Sequence, residues 1–300
     1  MKAAVVLMAY GSPERVEDIR PYLEDIREGR PVSDGAVEEL TERYRRIGGR
    51  SPLDEITERQ RAALEAELGV PVLVGMKHWQ PRIADAVEEA VTGGAETIVG
   101  LVLAPHYSKL SIDGYRERLE AAVAGRAELR FVERWGTHEP YLDALAERVR
   151  GFDGHVVFTA HSLPARILDE GDPYRDELLE TSRLIAERAG LESWSFAFQS
   201  ASATGEPWLG PDILDELDAL HARGVKRVLV CPIGFVSDHL EILWDIDVEA
   251  RERAGELGLE LDRIESLNDD PAFIGGLADL VSVPSASASS SHEPITSDGR

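Results

Sequence analysis

The 300-residue sequence predicts an α/β protein of two similar halves, each a four-stranded parallel sheet flanked by helices, with a cleft between them. Three observations carry that prediction. Short runs rich in Val, Ile and Leu are separated by helical segments, the runs are near-continuous in apolar residues, and the whole plan occurs twice. Strands buried on both faces lose the polar/apolar alternation, and strands that alternate with helices join parallel sheets.

Taken in order, residues 3–8 (AAVVLM) form the first strand and run into Ala9-Tyr10-Gly11-Ser12-Pro13. Residues 14–30 mix acids and arginines with isolated apolar residues, the pattern of an amphipathic helix that packs on its own half and turns a charged face outward. Ser51-Pro52-Leu53-Asp54 starts another helix, with Ser51 as N-cap and Pro52 at the first helical position. The second strand, 72–76, leads to His78, Pro81 and a helix over 84–91; the third, 97–104, leads to Pro105-His106-Tyr107-Ser108; the fourth, 129–133, precedes a helix over 142–149. A polar stretch at 150–154 ends the first half, 1–150. The second half, 151–282, repeats the plan with strands at 155–159, 194–199, 227–231 and 259–264. Residues 283–300 are too poor in apolar side chains to pack and predict a disordered tail.

Composition excludes several functions. Lys+Arg 32 against Asp+Glu 56 gives a net charge of −24, which repels nucleic-acid backbones and anionic lipid surfaces. The single cysteine, Cys231, supports neither a disulfide framework nor a self-supplied iron–sulfur cluster. No stretch approaches the roughly 18 apolar residues of a membrane span. The N-terminal apolar run lacks a small-x-small cleavage site, so it reads as a strand rather than a signal peptide, and a cytoplasmic protein is expected.

In open parallel sheets, ligands bind beyond the carboxyl ends of the strands. Tyr10, His78, His106, His161, Gln199 and the segment 238–249 (DHLEILWDIDVE) all follow strands. Glu241, Asp245 and Glu249 lie four apart, so an α-helix would stack them as a carboxylate ladder. Like charges at that spacing cost a few tenths of a kcal/mol per pair, and no lysine or arginine follows before Arg251. A bound cation would relieve the repulsion; a solvated acidic face is the bland alternative. His161 adds an imidazole, and imidazole with carboxylate suits ferrous iron, cobalt, nickel or zinc. A histidine after a strand is otherwise a structural residue. No closed zinc motif such as HExxH is present, which favours a metal in transit. A GxSxG elbow and a GxGxxG turn are both absent, which disfavours a serine hydrolase and a dinucleotide site.

An ordered set of motifs from residue 4 to about residue 280 resembles the ferrochelatase family: AYGSP, IREGR, RYRRIGGRSPL, GMKHWQP, LAPHYS, TAHSLP, GDPY, FQS, PWLGPD and GFVSDHLEILWDID. The branch it most resembles is the soluble coproporphyrin ferrochelatases. That resemblance implies two flavodoxin-like or Rossmann-like halves and insertion of ferrous iron into coproporphyrin III, with release of two protons. It implies His161 and Glu241 at the metal-insertion site and Asp245 and Glu249 as an acidic row that feeds the metal. Tyr10 is implied as an axial ligand to porphyrin iron, and Arg27, Arg43, Tyr44, Ser51 and Tyr115 as contacts to the macrocycle and its propionates, with His78 a further cleft histidine. Read without the resemblance, Arg27 and Arg43 sit on solvated helix faces, Tyr44 and Tyr115 are packing tyrosines, and Ser51 is a cap. Ferrous iron is then a substrate, no permanent cofactor is needed, and the expected partners are coproporphyrin III and transient contacts with other haem-pathway proteins, with a monomeric protein that binds neither nucleic acid nor membrane. The alternatives are a cobalt or nickel chelatase of a sirohydrochlorin-type ring and a non-catalytic tetrapyrrole carrier.

Overall fold

The computed structural model describes residues 2–202 and 205–282, so the tail expected over 283–300 lies outside the described residues. Among the described residues, eight strands form two four-stranded parallel sheets. The first half runs β1 (Ala3–Ala9), α1 (Ile19–Ile26), α2 (Asp34–Arg46), α3 (Leu53–Leu68), β2 (Val72–Met76), α4 (Ile83–Thr92), β3 (Thr97–Val102), α5 (Asp113–Val123), β4 (Glu128–Val132) and α6 (Glu139–Val149). The second runs β5 (His155–His161), α7 (Tyr174–Ala189), β6 (Trp194–Gln199), α8 (Ile213–Ala222), β7 (Arg227–Pro232), a π-helix (Ile242–Ala250), α9 (Arg251–Leu257), β8 (Glu260–Arg263) and α10 (Pro271–Val281). The strand orders are β2-β1-β3-β4 and β6-β5-β7-β8, the same topology twice. The first strand of each half therefore pairs on both edges, Val5 with Val72 and Val99, and Val157 with Ser195 and Val230. Its side chains meet helices on both faces, which is why AAVVLM and VVFTA show no alternation.

One continuous core joins the halves. Leu64, Val72, Val99 and Leu101 of the first half and Val156, Phe158, Leu229 and Cys231 of the second belong to one buried cluster. Each such side chain contributes about 1.5–3 kcal/mol on burial. Helix α3 reaches across: Gln60 is fully buried and donates to Ser237 Oγ at 3.0 Å and to the Asn268 carbonyl at 2.7 Å.

Three local expectations change. The helix after the first strand is shorter than the charge pattern over 14–30 suggests: a 3-10 turn at Val16–Asp18 precedes α1, which ends at Ile26 because Glu28 and Gly29 both adopt positive φ. Its buried residues are Ile19 and Tyr22. Helix α3 begins at Leu53 with Pro52 outside it, so Ser51 caps from one residue further back, accepting from the Leu53 amide at 3.3 Å. The acidic segment is a π-helix rather than an α-helix, so its backbone bonds run i to i+5.

Candidate functional site

A cleft of about 720 Å³ opens where the carboxyl ends of both sheets face each other. Its first wall carries Tyr10 from the end of β1, His78 just beyond β2, and Tyr115 from α5. The turn after β1 needs Gly11: φ is +92°, and a β-carbon there would lie 1.8 Å from the His78 carbonyl oxygen. That close approach packs Tyr10 against His78, ring centroids 4.8 Å apart and planes tilted by 52°. Tyr22 donates to the Gly11 carbonyl at 3.0 Å, and Tyr44 bonds Ser12 at 2.9 Å, so aromatic hydroxyls hold the turn from below. His78 Nδ1 meets Asp25 at 3.2 Å, and Arg82 grips that carboxylate with bonds of 2.9 and 2.7 Å. Burial lowers the His78 pKa against the pull of Asp25, so the ring is neutral at pH 7, its Nδ1–H donating to the carboxylate. The Tyr10 hydroxyl is pushed above its usual value by its enclosed setting and then by the Glu241 charge.

The opposite wall is built from the ends of β5 and the π-helix. His161 Nε2 lies 3.4 Å from Glu241 Oε1, and His161 Nδ1 donates to the Ser162 carbonyl. Burial would lower the His161 pKa, but the Glu241 carboxylate outweighs it and raises the pKa to about 9. Burial likewise opposes ionisation of Glu241, and His161 overrides it, holding the carboxyl well below its ordinary range. The resting pair at pH 7 is therefore imidazolium and carboxylate. Both ring nitrogens donate, as an imidazolium requires. A second imidazole stands on the other carboxylate oxygen: His239 Nε2 is 3.6 Å from Glu241 Oε2, while its Nδ1 donates to the Ser237 carbonyl at 3.0 Å.

Behind Glu241, Asp245 is buried and accepts from the Ser200 hydroxyl. Burial first, and then the charges of Glu241 and Glu249, raise its pKa to about 7. The three carboxylates thus interact as the four-residue spacing suggests, although the helix that carries them is of the rarer kind, one found disproportionately at functional sites. Asp245 and Glu249 lie along the π-helix outside the cleft lining, and Glu241 alone of the three faces the cavity.

Tyr10, His78, Tyr44, Ser51, Tyr115, His161 and Glu241 all line this one cavity. Arg27 and Arg43 do not. The Arg27 guanidinium donates to the Pro31 carbonyl at 3.2 Å, and Arg43 pairs with Glu39 at 2.7 Å and lies 5.6 Å over the Trp244 ring. Arg43 also pulls the Asp245 pKa down, so its charge is felt at the carboxylate row as well as at Glu39. The cations that do line the cleft are Lys77, Lys109 and Arg118. Sequence reasoning passed over them, although Lys77 is one of only four lysines and directly precedes His78. It also passed over His239, which lies two residues before Glu241 in the same motif. Among the described residues, no group of three or more His, Cys, Asp or Glu is arranged to hold a metal ion.

Two four-stranded parallel sheets of one topology with a cleft at their carboxyl ends make the two-half chelatase fold. A solved structure titled as SirB from Bacillus subtilis with Fe3+ superposes with a TM-score of 0.62 over 94% of both chains, at 13% identity, which speaks to the fold alone. The ferrochelatase family profile matches residues 2–283. A ferrochelatase of Deinococcus radiodurans is 46% identical over 297 residues, covering 92% of this chain and 94% of its own. A protein of Geobacillus kaustophilus named coproporphyrin III ferrochelatase is 40% identical, over 93% of this chain and 95% of its own. The chain belongs to the ferrochelatase family.

Proposed function

We propose that this protein inserts ferrous iron into coproporphyrin III, giving the iron porphyrin and two protons. The observation that carries the reading is the His161–Glu241 pair in one wall of a cleft whose other wall presents Tyr10 and His78. A planar macrocycle lying between the walls exposes one face of its pyrrole nitrogens to each. Metal binding to histidine needs the neutral ring, so an arriving Fe²⁺ displaces to cleft water the proton that Glu241 holds on His161, and the ring regains a proton when the iron passes on, leaving a net release of two. The freed imidazole and carboxylate then offer one nitrogen and one oxygen donor, enough to pass an ion on and too few to cage it. On the other wall neutral His78 can take a proton and Tyr10 can approach the iron once seated.

The substrate class is supported by the cations that line the cleft, by the charged outer face of α1, and by relatives that carry the coproporphyrin name. Four propionates ask for cationic partners, whereas a divinyl, dipropionate porphyrin asks for an apolar lip. Among the described residues, no helix is long and apolar enough to cross a membrane. The same reading makes the protein a cytoplasmic monomer that needs no permanent cofactor or iron–sulfur cluster and meets other haem-pathway proteins transiently. Anaerobic assays of kcat/KM in detergent-free buffer, with coproporphyrin III and protoporphyrin IX and with Fe²⁺, Co²⁺ and Zn²⁺, test it. A strong preference for coproporphyrin III with Fe²⁺ is expected. Equal use of protoporphyrin IX removes the substrate assignment, and stoichiometric binding without turnover would make the protein a carrier.

A further inference from the structure

Two of the sequence motifs meet across the halves. LAPHYS, over 103–108, follows β3 in the first half, and GDPY, over 171–174, leads into α7 in the second. Asp172 Oδ2 accepts from the Ser108 hydroxyl and from the Lys109 amide, both at 2.9 Å, while its Oδ1 accepts from the Tyr174 amide at 3.0 Å. Tyr174, Glu177 and Thr181 stand at i, i+3 and i+7, on one face of α7. Glu177 accepts from the Tyr107 amide at 2.8 Å and pairs with Arg134 of the first half at 2.5 Å. Thr181 donates to the Gly136 carbonyl at 3.0 Å, so its oxygen accepts from the His106 Nε2–H at 2.9 Å. Four consecutive residues of the loop after β3, 106–109, are thus held by α7 and the turn before it. From the other side of the same helix start, the Tyr174 hydroxyl donates to the His161 carbonyl at 3.0 Å. Both ends of this set line the cleft, with His106 and Lys109 at one end and Tyr174 and His161 at the other.

The shared apolar core joins the halves through buried side chains, whereas these bonds join the two stretches that form the cleft. Hydrogen bonds to carboxylates are charge-assisted and roughly twice as strong as neutral ones. Ser108 is fully buried and Tyr174 is buried, so water competes little for them. We propose that Asp172 and Glu177 are positioning residues for iron insertion: they lock the loop after β3 to α7 and, through Tyr174, to the strand end that carries His161, which fixes the width of the gap in which the macrocycle lies. This rests on the porphyrin reading of the cleft and adds to it the groups that hold the walls in register. Neither carboxylate lines the cavity, so each acts through the residues it holds. With the brace cut, the porphyrin still enters, but its nitrogens no longer keep one distance from the His161–Glu241 pair, and a misplacement of about 1 Å can cost about a hundredfold in rate.

The test separates rate from binding. Full-length wild type, Asp172→Ala, Ser108→Ala, the double variant, Glu177→Ala and Glu177→Gln are compared by Kd for metal-free coproporphyrin III, by kcat for anaerobic Fe²⁺ insertion, and by amide exchange over residues 105–111. Asp172→Ala and Glu177→Ala are each expected to lower kcat by roughly tenfold or more, to keep Kd within about threefold, and to speed exchange of that segment. Ser108→Ala removes one bond to Asp172 and should lower kcat less; the double variant should be no slower than Asp172→Ala, as for groups that act as one unit. Glu177→Gln keeps an acceptor for the Tyr107 amide and should fall between Glu177→Ala and wild type. A kcat within about twofold of wild type for Asp172→Ala and Glu177→Ala, with or without a raised Kd, overturns the assignment. Should Asp172→Ala fail to fold, Ser108→Ala with unchanged kcat and unchanged exchange does so. A wild type that binds coproporphyrin III and inserts no iron is instead a failure of the proposed reaction, and exchange over 105–111 unaltered by Asp172→Ala then overturns the brace on its own.

Discussion

Replacing Glu241 with Gln keeps the shape of the side chain and removes the charge that keeps His161 protonated. In the wild type His161 titrates at about 9; without the carboxylate, only the bond to the Ser162 carbonyl and the field of Asp245 still oppose burial, and the ring should titrate toward its ordinary 6.5. At 1.36 kcal/mol per pH unit that difference is roughly 3 kcal/mol. The two side chains are 31% and 36% exposed to the cleft, so solvent screens part of it and about 2 kcal/mol is the expected figure. The sign follows from linkage. His161 is raised above its unfolded value, so its stabilisation is full below pH 6.5 and is lost as pH rises through 9. Glu241 is lowered, so its share is present above pH 4.5 and lost in acid. The melting temperature of wild type over Glu241→Gln should therefore be greatest between pH 4.5 and 6.5 and vanish above 9. Nuclear magnetic resonance of the histidine ring carbons, assigned by comparison with His161→Ala, reads the pKa directly. A wild-type His161 that titrates near 6.5, or a Glu241→Gln protein in which it still titrates near 9, refutes the ion pair.

Tyr10→Phe should change the absorption spectrum of the bound iron porphyrin and the rate of its release while leaving the fold intact, since the hydroxyl faces the cleft; an identical spectrum argues against axial ligation. Gly11→Ala should lower the melting temperature sharply, because it adds about 1–3 kcal/mol of backbone strain at φ +92° to a contact of 1.8 Å with the His78 carbonyl; calorimetry showing wild-type stability would mean the turn is looser than described. Flotation with anionic liposomes should leave the protein in the aqueous fraction, given its net charge of −24 and the inward-facing apolar residues of α1, and co-flotation would contradict this.

The halves, the eight strands and the clustering at their carboxyl ends were legible because burial on both faces of a parallel sheet leaves a direct trace in the residue types, as in VLVGM over Val72–Met76. Of the seven named residues that meet in one cavity, all but Tyr44, which lies near the end of α2, follow a strand or stand at a helix start. The π-helix was hidden because i to i+5 bonding has no periodic signature distinct from an α-helix over nine residues. The protonated state of His161 was hidden because Glu241 is 80 residues away in the chain, and only the pairing of β5 with β7 in the second sheet brings the segments that follow them together, 3.4 Å apart at these side chains. Arg27 and Arg43 fall outside the cavity lining, which the sequence does not show, because a helix shows which residues share a face but not what that face meets; α2 turns Arg43 and Arg46 onto Trp244 of the other half, at 5.6 and 5.3 Å.

Single-turnover iron insertion by His161→Ala tests the central claim most directly. Coproporphyrin III is bound to the variant and to wild type, Fe²⁺ is added anaerobically, and the loss of metal-free porphyrin bands is followed with proton release from the same cuvette. The account predicts that the variant binds the porphyrin, keeps its fold, and neither inserts iron nor releases the two pyrrole protons on the wild-type timescale. Insertion by His161→Ala at a rate near that of wild type, with two protons released, would place the chemistry somewhere other than the His161–Glu241 wall.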